Sequence, residues 1–259
     1  MQGSGALLEV AVLHLRDLPG ADEGGADRLE IVAPDAADGM SPETSLVSSI
    51  CKESEVPARV MLRLNGGFST TGGELARLVG LAEDYLAVGA EGVVFGFLDT
   101  NLEIDVDVCL HLTERLPGVP WTFHRAIDSA LSTERAWRRV RRLPRLDAVR
   151  SAGSPQGMDT GFDDLVDLAG ADPGIASLMM AGGGLRGEHV PWLVRAGVRQ
   201  FHVGLSARSD RSWTRAYVDA GHVRSWRMLL DDALDRALGD HLGNHLGDHL
   251  GDHLGRPPE

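Results

Sequence analysis

The stretch Val119–Asp128, VPWTFHRAID, contains the pattern that decides the fold. Its first five residues are an apolar and aromatic run, as in a strand buried on both faces of a parallel sheet. His124, Arg125 and Asp128 follow within five residues, and a helical segment begins shortly after them. A strand that ends in polar residues and leads into a helix presents reactive groups at the mouth of a pocket. The alternative interpretation is a core histidine beside a surface ion pair.

The same alternation of apolar runs and helical segments extends over most of the 259 residues. Eight apolar runs predict strands, and they cover residues 6–13, 28–33, 58–64, 92–97, 119–124, 146–151, 176–181 and 198–204. Eight strands that alternate with helices over this length are typical of an α/β protein with a (β/α)8 barrel. A doubly wound open sheet is the alternative, because strand order cannot be read from one sequence.

The C-terminal end has a different composition. From Leu238 the chain is a four-residue repeat in which histidine recurs at positions 241, 245, 249 and 253. On a helix these histidines would form a stripe able to capture a transition metal. Glycine at every fourth position, however, costs about 1 kcal/mol each against a helix. We therefore predict a barrel domain over residues 1–237 and a disordered, low-complexity His/Gly-rich tail over 238–259.

Charge and composition exclude several classes of partner. A formal net charge of −13 argues against nucleic acid or an anionic membrane surface. No apolar run approaches the length of a membrane-spanning helix. Two cysteines, Cys51 and Cys109, are expected to be structural thiols in a cytoplasmic protein. Lys52 is the only lysine and lies in a predicted surface helix, which argues against Schiff-base chemistry.

Polar residues that end predicted strands are candidates for a functional site, because barrel enzymes use the C-terminal ends of their strands. Arg63 ends the third strand, His124 and Arg125 end the fifth, and His202 lies in the eighth. Asp128 is either a catalytic group or the cap of the next helix. For His202, a satisfied core histidine is the alternative interpretation.

Glu9 and Glu30 lie inside the first two predicted strands. A carboxylate in a buried strand is unfavourable unless it is paired, and Arg59, Arg63 and Arg125 are the expected partners. Either the two glutamates belong to the functional site, or they form structural ion pairs inside the barrel.

A glycine-rich turn, AGGGLRG at 181–187, follows the seventh predicted strand. The loops after strands seven and eight of a barrel often bind phosphate or another anion through backbone N–H groups. We therefore predict anion binding at Gly183 and Gly184, with Arg186 or Arg208 adding positive charge. The alternative is that the glycines only allow a tight turn.

Several of these stretches resemble, in order, the CutC family, which is labelled copper homeostasis protein. They are LEVAV (8–12), GGADRLEIV (24–32), DGMSP (38–42), RVMLRLNGG (59–67), GAEGVVFG (89–96), TFHRAID (122–128), AGGGL (181–185) and GVRQFHVG (197–204). The match spans roughly residues 7–210, and GGADRLE and TFHRA are its most specific motifs. The resemblance implies a (β/α)8 barrel in a cytoplasmic, often homo-oligomeric protein associated with copper tolerance or copper binding.

By motif, the resemblance carries the pocket residues of the family over to Glu9, Glu30, Arg63, His124, Arg125, Asp128 and His202. The chain departs from the family pattern at Ala11 and Val32, where family members commonly have cysteine. Cu(I) prefers soft thiolate and thioether ligands. A copper site in this chain would therefore depend on His124 and His202, assisted by glutamate or by Met61 or Met180.

Three functional hypotheses are open. The first is a copper homeostasis protein whose metal ligands are His124 and His202. The second is an enzyme that acts by acid/base chemistry on a small phosphorylated, carboxylate or carbonyl substrate. In it His124, Glu30 and Asp128 are catalytic, and arginines and the glycine turn bind the anion. The third is a non-catalytic oligomeric scaffold.

Overall fold

A computed structural model describes residues 5–34 and 39–251, and for residues 240–251 it describes only the backbone. Eight parallel strands form a closed barrel in sequence order, and the last strand pairs with the first. The strands are β1 (Leu7–Val12), β2 (Arg28–Ile31), β3 (Ala58–Met61), β4 (Gly92–Phe95), β5 (Trp121–Phe123), β6 (Leu146–Ser151), β7 (Met179–Ala181) and β8 (Gln200–Val203). The closed barrel confirms the predicted (β/α)8 fold and excludes the open sheet.

Helices follow the strands around the outside of the barrel. They are α1 (Leu18–Gly24), α2 (Thr44–Glu53), α3 (Gly72–Ala87), α4 (Val106–Arg115), α5 (Thr133–Val140), α6 (Met158–Ala171), α7 (Pro173–Leu178), α8 (Val190–Arg195) and α9 (Ala220–Gly251). Within the described residues, none of the helices combines the length and the apolar character that crossing a membrane requires.

Each predicted apolar run contains the corresponding strand, and the largest difference is at β7. Residues 176–178 were predicted as strand but belong to α7. The Asp172 carboxylate accepts hydrogen bonds from the N–H groups of Gly174 and Ile175, and Pro173 occupies the first turn. This capping pattern starts a helix and delays the strand to Met179.

The interior of the barrel is unusually polar. Barrels are normally filled by branched apolar side chains that point inward from alternate strand positions. Here five charged residues of the strands are at most 7% exposed, namely Glu9, Arg28, Glu30, Arg59 and Arg150. The strand register places Glu9 opposite Arg28 on one side and His202 on the other. Register therefore brings charged groups from distant parts of the sequence together inside the barrel.

Apolar residues form two separate clusters. The main core contains outward-facing strand residues such as Leu8, Val10 and Val60 together with the helices. A second set, which we call the mouth cluster, consists of Leu13, Val32, Met61 and Val94. Its members belong to or directly follow β1–β4, so one half of the barrel has an apolar inner surface near its C-terminal end.

The last helix passes the predicted start of the tail. The backbone of α9 continues through Leu238 to Gly251, so the predicted domain boundary falls inside a helix. A helix that has already formed extends without a new nucleation step, and this offsets part of the low helix propensity of glycine. Residues 252–259, including His253, lie outside the described residues. Metal capture by the repeat stays a prediction.

Candidate functional site

A cavity of about 460 Å³ opens at the C-terminal end of the barrel. Six of the predicted site residues line it: Glu30, Arg63, His124, Arg125, Gly183 and His202. Glu9 lies deeper and is fully buried, and Asp128 is not part of the lining. The strand ends therefore bring most of the candidate residues to one cavity.

His124 lines this cavity as a neutral ring with a defined tautomer. Its Nδ1 accepts a hydrogen bond from the N–H of Ala126 at 3.1 Å, so the single proton of the neutral ring is assigned to Nε2. Burial, with the nearby charges of Arg150 and Arg63, lowers the pKa of His124 to about 3. At neutral pH the ring is therefore a hydrogen-bond donor through Nε2, which suits the oxygen of a carbonyl group.

Glu30 has one carboxylate oxygen without a partner. Oε2 accepts a hydrogen bond from Nη1 of Arg150, whereas Oε1 is buried and has no hydrogen bond within the described part of the chain. Glu30 is 2% exposed and lines the cavity. Buried polar atoms without partners are rare in native proteins. The carboxylate of Glu30 therefore has unused hydrogen-bonding capacity at a residue that lines the cavity.

His202, which lines the cavity, and the deeper Glu9 form a second group of charged and polar side chains. Glu9 accepts hydrogen bonds from Nε of Arg28 at 2.7 Å and from Nδ1 of His202 at 2.8 Å. Burial alone would raise the pKa of Glu9, but the charge of Arg28 and the bond from His202 hold it well below its usual range. Nη1 of Arg150 lies 3.2 and 3.3 Å from the two ring nitrogens of His202. His202 is thus held between a carboxylate and a guanidinium.

The partners of the two strand glutamates differ from the expected ones. Arg28 and Arg150 pair with them, so the prediction of Arg59, Arg63 or Arg125 as partners is wrong.

The other arginines are engaged elsewhere. Arg59 is next to Glu30 in register, but its guanidinium binds both carboxylate oxygens of Asp147, at 2.6 and 2.5 Å. The guanidinium of Arg63 donates to the carbonyl of Gly66 at 2.6 Å and lies 4.8 Å from the ring centre of Phe68. Bidentate pairing and contacts to its own loop direct these side chains away from the glutamates.

Arg125 is fixed at the rim by Asp128. Its Nε donates to Oδ2 of Asp128 at 2.8 Å, and its Nη2 donates to the carbonyl of Ser154 at 2.8 Å. Asp128 also accepts hydrogen bonds from the Ser151 hydroxyl at 2.6 Å and from the N–H of Ala152. Burial raises the pKa of Asp128 despite these contacts. The arrangement suits a positioning role for Asp128, while the cap of α5 is Ser132 rather than Asp128.

The glycine turn packs directly against this arginine. Gly183 and Gly184 have φ values of +93° and +95°, in the region that disfavours residues with a side chain. A Cβ atom at Gly183 would lie only 2.6 Å from Nε of Arg125. The turn therefore needs glycine for its backbone conformation and also for the close approach of the guanidinium.

Neither of the two other arginines adds charge to the turn as predicted. Arg186 pairs with Asp159 and Glu188 at 2.9 and 3.1 Å. Arg208 is fully buried and binds both oxygens of Asp17, at 2.8 and 2.9 Å. Because these guanidinium groups already have carboxylate partners, that part of the prediction is wrong.

Three residues near the cavity were missed by the sequence analysis. Arg28 could have been found, because it is two residues before Glu30 and side chains two apart in a strand share a face. No sequence pattern marked Asp17 or Trp213 as site residues, since the two residues come from segments that lie far apart in the chain. Trp213 lines the cavity, and its ring lies 5.2 Å from the guanidinium carbon of Arg208.

Among the described residues no thiol lines the cavity, and Met61 is the single thioether that does. One thioether among carboxylate, guanidinium and imidazole groups is not the soft ligand set that Cu(I) prefers. Ala11 and Val32 line the cavity at the two places where thiols would have been expected. The thiols of the chain lie on outer helices, Cys51 on α2 and Cys109 on α4. Burial raises the pKa of both, that of Cys109 to about 12, so neither is a ready thiolate.

Harder donors meet at the inner end of the cavity, but a guanidinium already lies among them. Among the described residues, ligand atoms of Glu9, Glu30 and His202 lie within 4.8 Å of one another. Nη1 of Arg150 contacts Glu30 and His202, so a cation there would have to displace it. His124 is poorly suited to coordinate, because Nδ1 is occupied and Nε2 carries the proton. These residues do not fit Cu(I).

Comparison with known proteins agrees with the motifs. A family model described as the CutC family matches residues 6–207. A family protein CutC from Photobacterium profundum is 30% identical over 217 residues, 79% of this chain and 82% of that protein. The copper homeostasis protein cutC homolog of Mus musculus is 29% identical over 214 residues, 81% of this chain and 76% of the mouse protein.

A similar fold is found among solved structures. The crystal structure of a protein from Streptococcus agalactiae named for copper homeostasis, CutC, superposes with a TM-score of 0.68. It is 22% identical and covers 77% of this chain and 98% of its own. At this identity the similarity shows the barrel fold alone.

Proposed function

This chain belongs to the CutC family, and from that premise we propose that it is an enzyme that moves a proton on a small anionic carbonyl compound at the barrel mouth. The observation that carries the proposal is the state of His124. A neutral imidazole at the cavity, with Nδ1 bound by the backbone of Ala126, offers its Nε2–H to a ligand oxygen. Catalytic sites that stabilise enolates use such preorganised donors.

The other lining residues supply the remaining roles. The Glu30 carboxylate removes a proton from the carbon next to the carbonyl, and the carbonyl oxygen gains negative charge while bound to Nε2–H of His124. Glu30 then returns the proton to the enolate at carbon or at oxygen. The product is the original carbonyl compound or its enol, so no other reactant is needed. Arg125, held by Asp128, binds the carboxylate or phosphate group of the substrate.

Direct copper binding by the barrel has less support. It was expected from the family, and relatives are named for copper homeostasis. The donors at the cavity do not fit Cu(I), so no step of the proposed reaction uses copper. A cytoplasmic location and a homo-oligomeric state stay predictions of the sequence analysis, as does the scaffold hypothesis.

Proton exchange tests the proposal without knowledge of the product. The protein is incubated in D2O with a panel of 2-oxo acids and phosphorylated aldehydes and ketones, and proton NMR follows hydrogen loss next to the carbonyl. We expect catalysed exchange that falls about 10²–10⁴-fold in Glu30→Gln. Glu91→Gln is the matched control, because Glu91 is 42% exposed on its side chain and precedes β4 at the opposite end of the barrel.

Three results would contradict the proposal. They are a panel that shows no catalysed exchange, an unchanged rate in Glu30→Gln, and a rate that depends on added copper. A Cu(I) chelator is therefore included as a further arm, and we expect it to leave the rate unchanged.

A further inference from the structure

The lining of the cavity is divided between the two halves of the barrel. The half formed by β5–β8 and their loops is polar and contributes His124, Arg125, Arg150, Gly183 and His202. The half formed by β1–β4 contributes the apolar residues Ala11, Leu13, Val32 and Met61, and its charged residues in the lining are Glu30 and, after β3, Arg63. In a closed barrel these halves face each other. A ligand in the cavity therefore meets mainly polar groups on one side and, apart from Arg63 and Glu30, apolar side chains on the other.

Trp213 completes the apolar side. It is half-buried, packs against the mouth cluster and lines the cavity. Its ring lies against the backbone after β8, where a Cβ atom at Gly204 would approach the indole to 2.4 Å. Arg208 lies over the ring at 5.2 Å and is itself fixed by Asp17. The indole is thus positioned by a specific contact on each side, although Trp213 belongs to a largely exposed loop.

The cavity is larger, and its lining more apolar, than a small anion alone requires. A phosphate or a carboxylate would occupy only part of 460 Å³ and would leave the half-buried indole of Trp213, with the small accessible part of the mouth cluster beside it, facing water. Covering that surface with a ligand is favourable, by about fourfold in affinity for each buried methylene. Pockets that recognise a molecule by a few polar groups and an apolar wall follow this pattern.

We propose that the substrate is an anion with an apolar body, and that Trp213 is the residue that selects that body. The inference rests on the proposed function, since the anionic group binds at Arg125 in both. The apolar body lies between Trp213 and the mouth cluster. Phosphate and carboxylate share the required charge, so the experiment separates them.

Matched pairs of probes measure the selection. Calorimetric titration compares methyl phosphate with benzyl phosphate, and acetate with phenylacetate, so that charge is constant within each pair. We expect wild-type protein to bind one of the benzyl probes at least about tenfold more tightly than its methyl partner. Trp213→Ala should reduce this ratio below about threefold and leave the methyl probe unchanged.

Trp192→Ala is the matched control, because Trp192 is 56% exposed on α8 and should change neither probe. Trp213→Phe provides a second measurement if the alanine variant does not fold. It should keep most of the preference and lose the change in tryptophan fluorescence on ligand binding. An unaltered fluorescence change in Trp213→Phe would place the body elsewhere and overturn the inference.

The outcomes separate the inference from the proposed function. Equal affinities within both pairs for the wild type overturn the inference, whereas loss of the methyl probe in Arg125→Ala would still support the anion site. A benzyl preference that depends on Trp213 but not on Arg125 would support the apolar selection and contradict the proposed anion site. The pair that shows the preference identifies the anionic group.

Discussion

Two buried carboxylate–arginine pairs near the mouth of the barrel differ in how fully their carboxylates are used. In the Asp17–Arg208 pair, both oxygens of Asp17 bind the guanidinium, and they also accept hydrogen bonds from the N–H groups of Leu13 and Val218. In the Glu30–Arg150 pair, only Oε2 of Glu30 is bonded. Both carboxylates are nearly or fully buried, so the difference is not one of exposure.

This difference distinguishes a structural pair, Asp17–Arg208, which holds the fold, from a working pair, Glu30–Arg150, which belongs to the functional site. A buried carboxylate in an ion pair is stable only when its remaining hydrogen-bonding capacity is satisfied, and the Asp17 carboxylate meets that condition through the backbone. Glu30 does not, and the unsatisfied oxygen belongs to a residue that lines the cavity. Local rules are most often broken at functional sites. We therefore assign Asp17 to holding the fold and Glu30 to contact with the substrate.

The largest expected effect comes from breaking the structural pair. Asp17→Asn leaves the buried guanidinium of Arg208 without a counter-charge and should lower the free energy of unfolding by about 3–5 kcal/mol. Urea unfolding of the variant and the wild type measures this decrease in the free energy of unfolding.

Glu30→Gln is the comparison variant. Arg150 keeps the nearby charges of Glu9 and Asp128, so the free energy of unfolding should fall by only about 1 kcal/mol. Catalysed proton exchange, in contrast, should be lost. Equal destabilisation by the two substitutions would contradict the distinction between the pairs.

The same two pairs show how far the sequence predicts this protein. The period and the length of the apolar runs were enough to predict all eight strands, because buried parallel strands are nearly continuous apolar segments. Strand ends also identified His124 and Arg125 as candidates, and the unfavourable burial of a carboxylate inside a strand identified Glu30. Their presence in one cavity follows from the general rule that barrel strands direct their C-terminal ends to the same face.

The pairings themselves were not predictable from the sequence. Arg150 reaches Glu30 across the barrel, and Arg208 reaches Asp17 from the other end of the chain. Such partners depend on barrel closure and on side-chain length, neither of which leaves a periodic signal. The tautomer of His124 depends on one backbone N–H, that of Ala126. For these reasons the residues were found, whereas their roles had to come from the structure.

His124 makes the free energy of unfolding depend on pH. Its pKa is about 3 in the folded protein and near 6.5 ordinarily. Below pH 6.5 the unfolded chain therefore binds a proton that the folded ring does not, and folding is weakened as the pH falls. The contribution is about 1.4 kcal/mol per pH unit, or about 2 kcal/mol between pH 7 and pH 5.

Urea unfolding at the two pH values measures this share. The decrease in the free energy of unfolding from pH 7 to pH 5 should be smaller by about 2 kcal/mol in His124→Gln, because glutamine does not titrate. His222→Gln, at an exposed position of α9, is the control and should keep the wild-type pH dependence. A His124→Gln variant with the full pH dependence would show that the ring is not neutral at the cavity.

The smallest expected effect concerns the support of Arg125. Gly183→Ala adds a Cβ atom to a residue with φ of +93° and places it 2.6 Å from Nε of Arg125. The backbone strain alone should lower the free energy of unfolding by about 1 kcal/mol. Gly66→Ala is the matched control on the same cavity, because a Cβ atom there meets no atom within 4 Å. Urea unfolding and methyl phosphate titration should show lower stability and weaker binding for Gly183→Ala alone. Weaker binding by Gly183→Ala beyond the small loss of stability would show that the working side of the cavity depends on the exact placement of Arg125. The structural pair depends instead on a carboxylate, that of Asp17, whose two oxygens are both hydrogen-bonded.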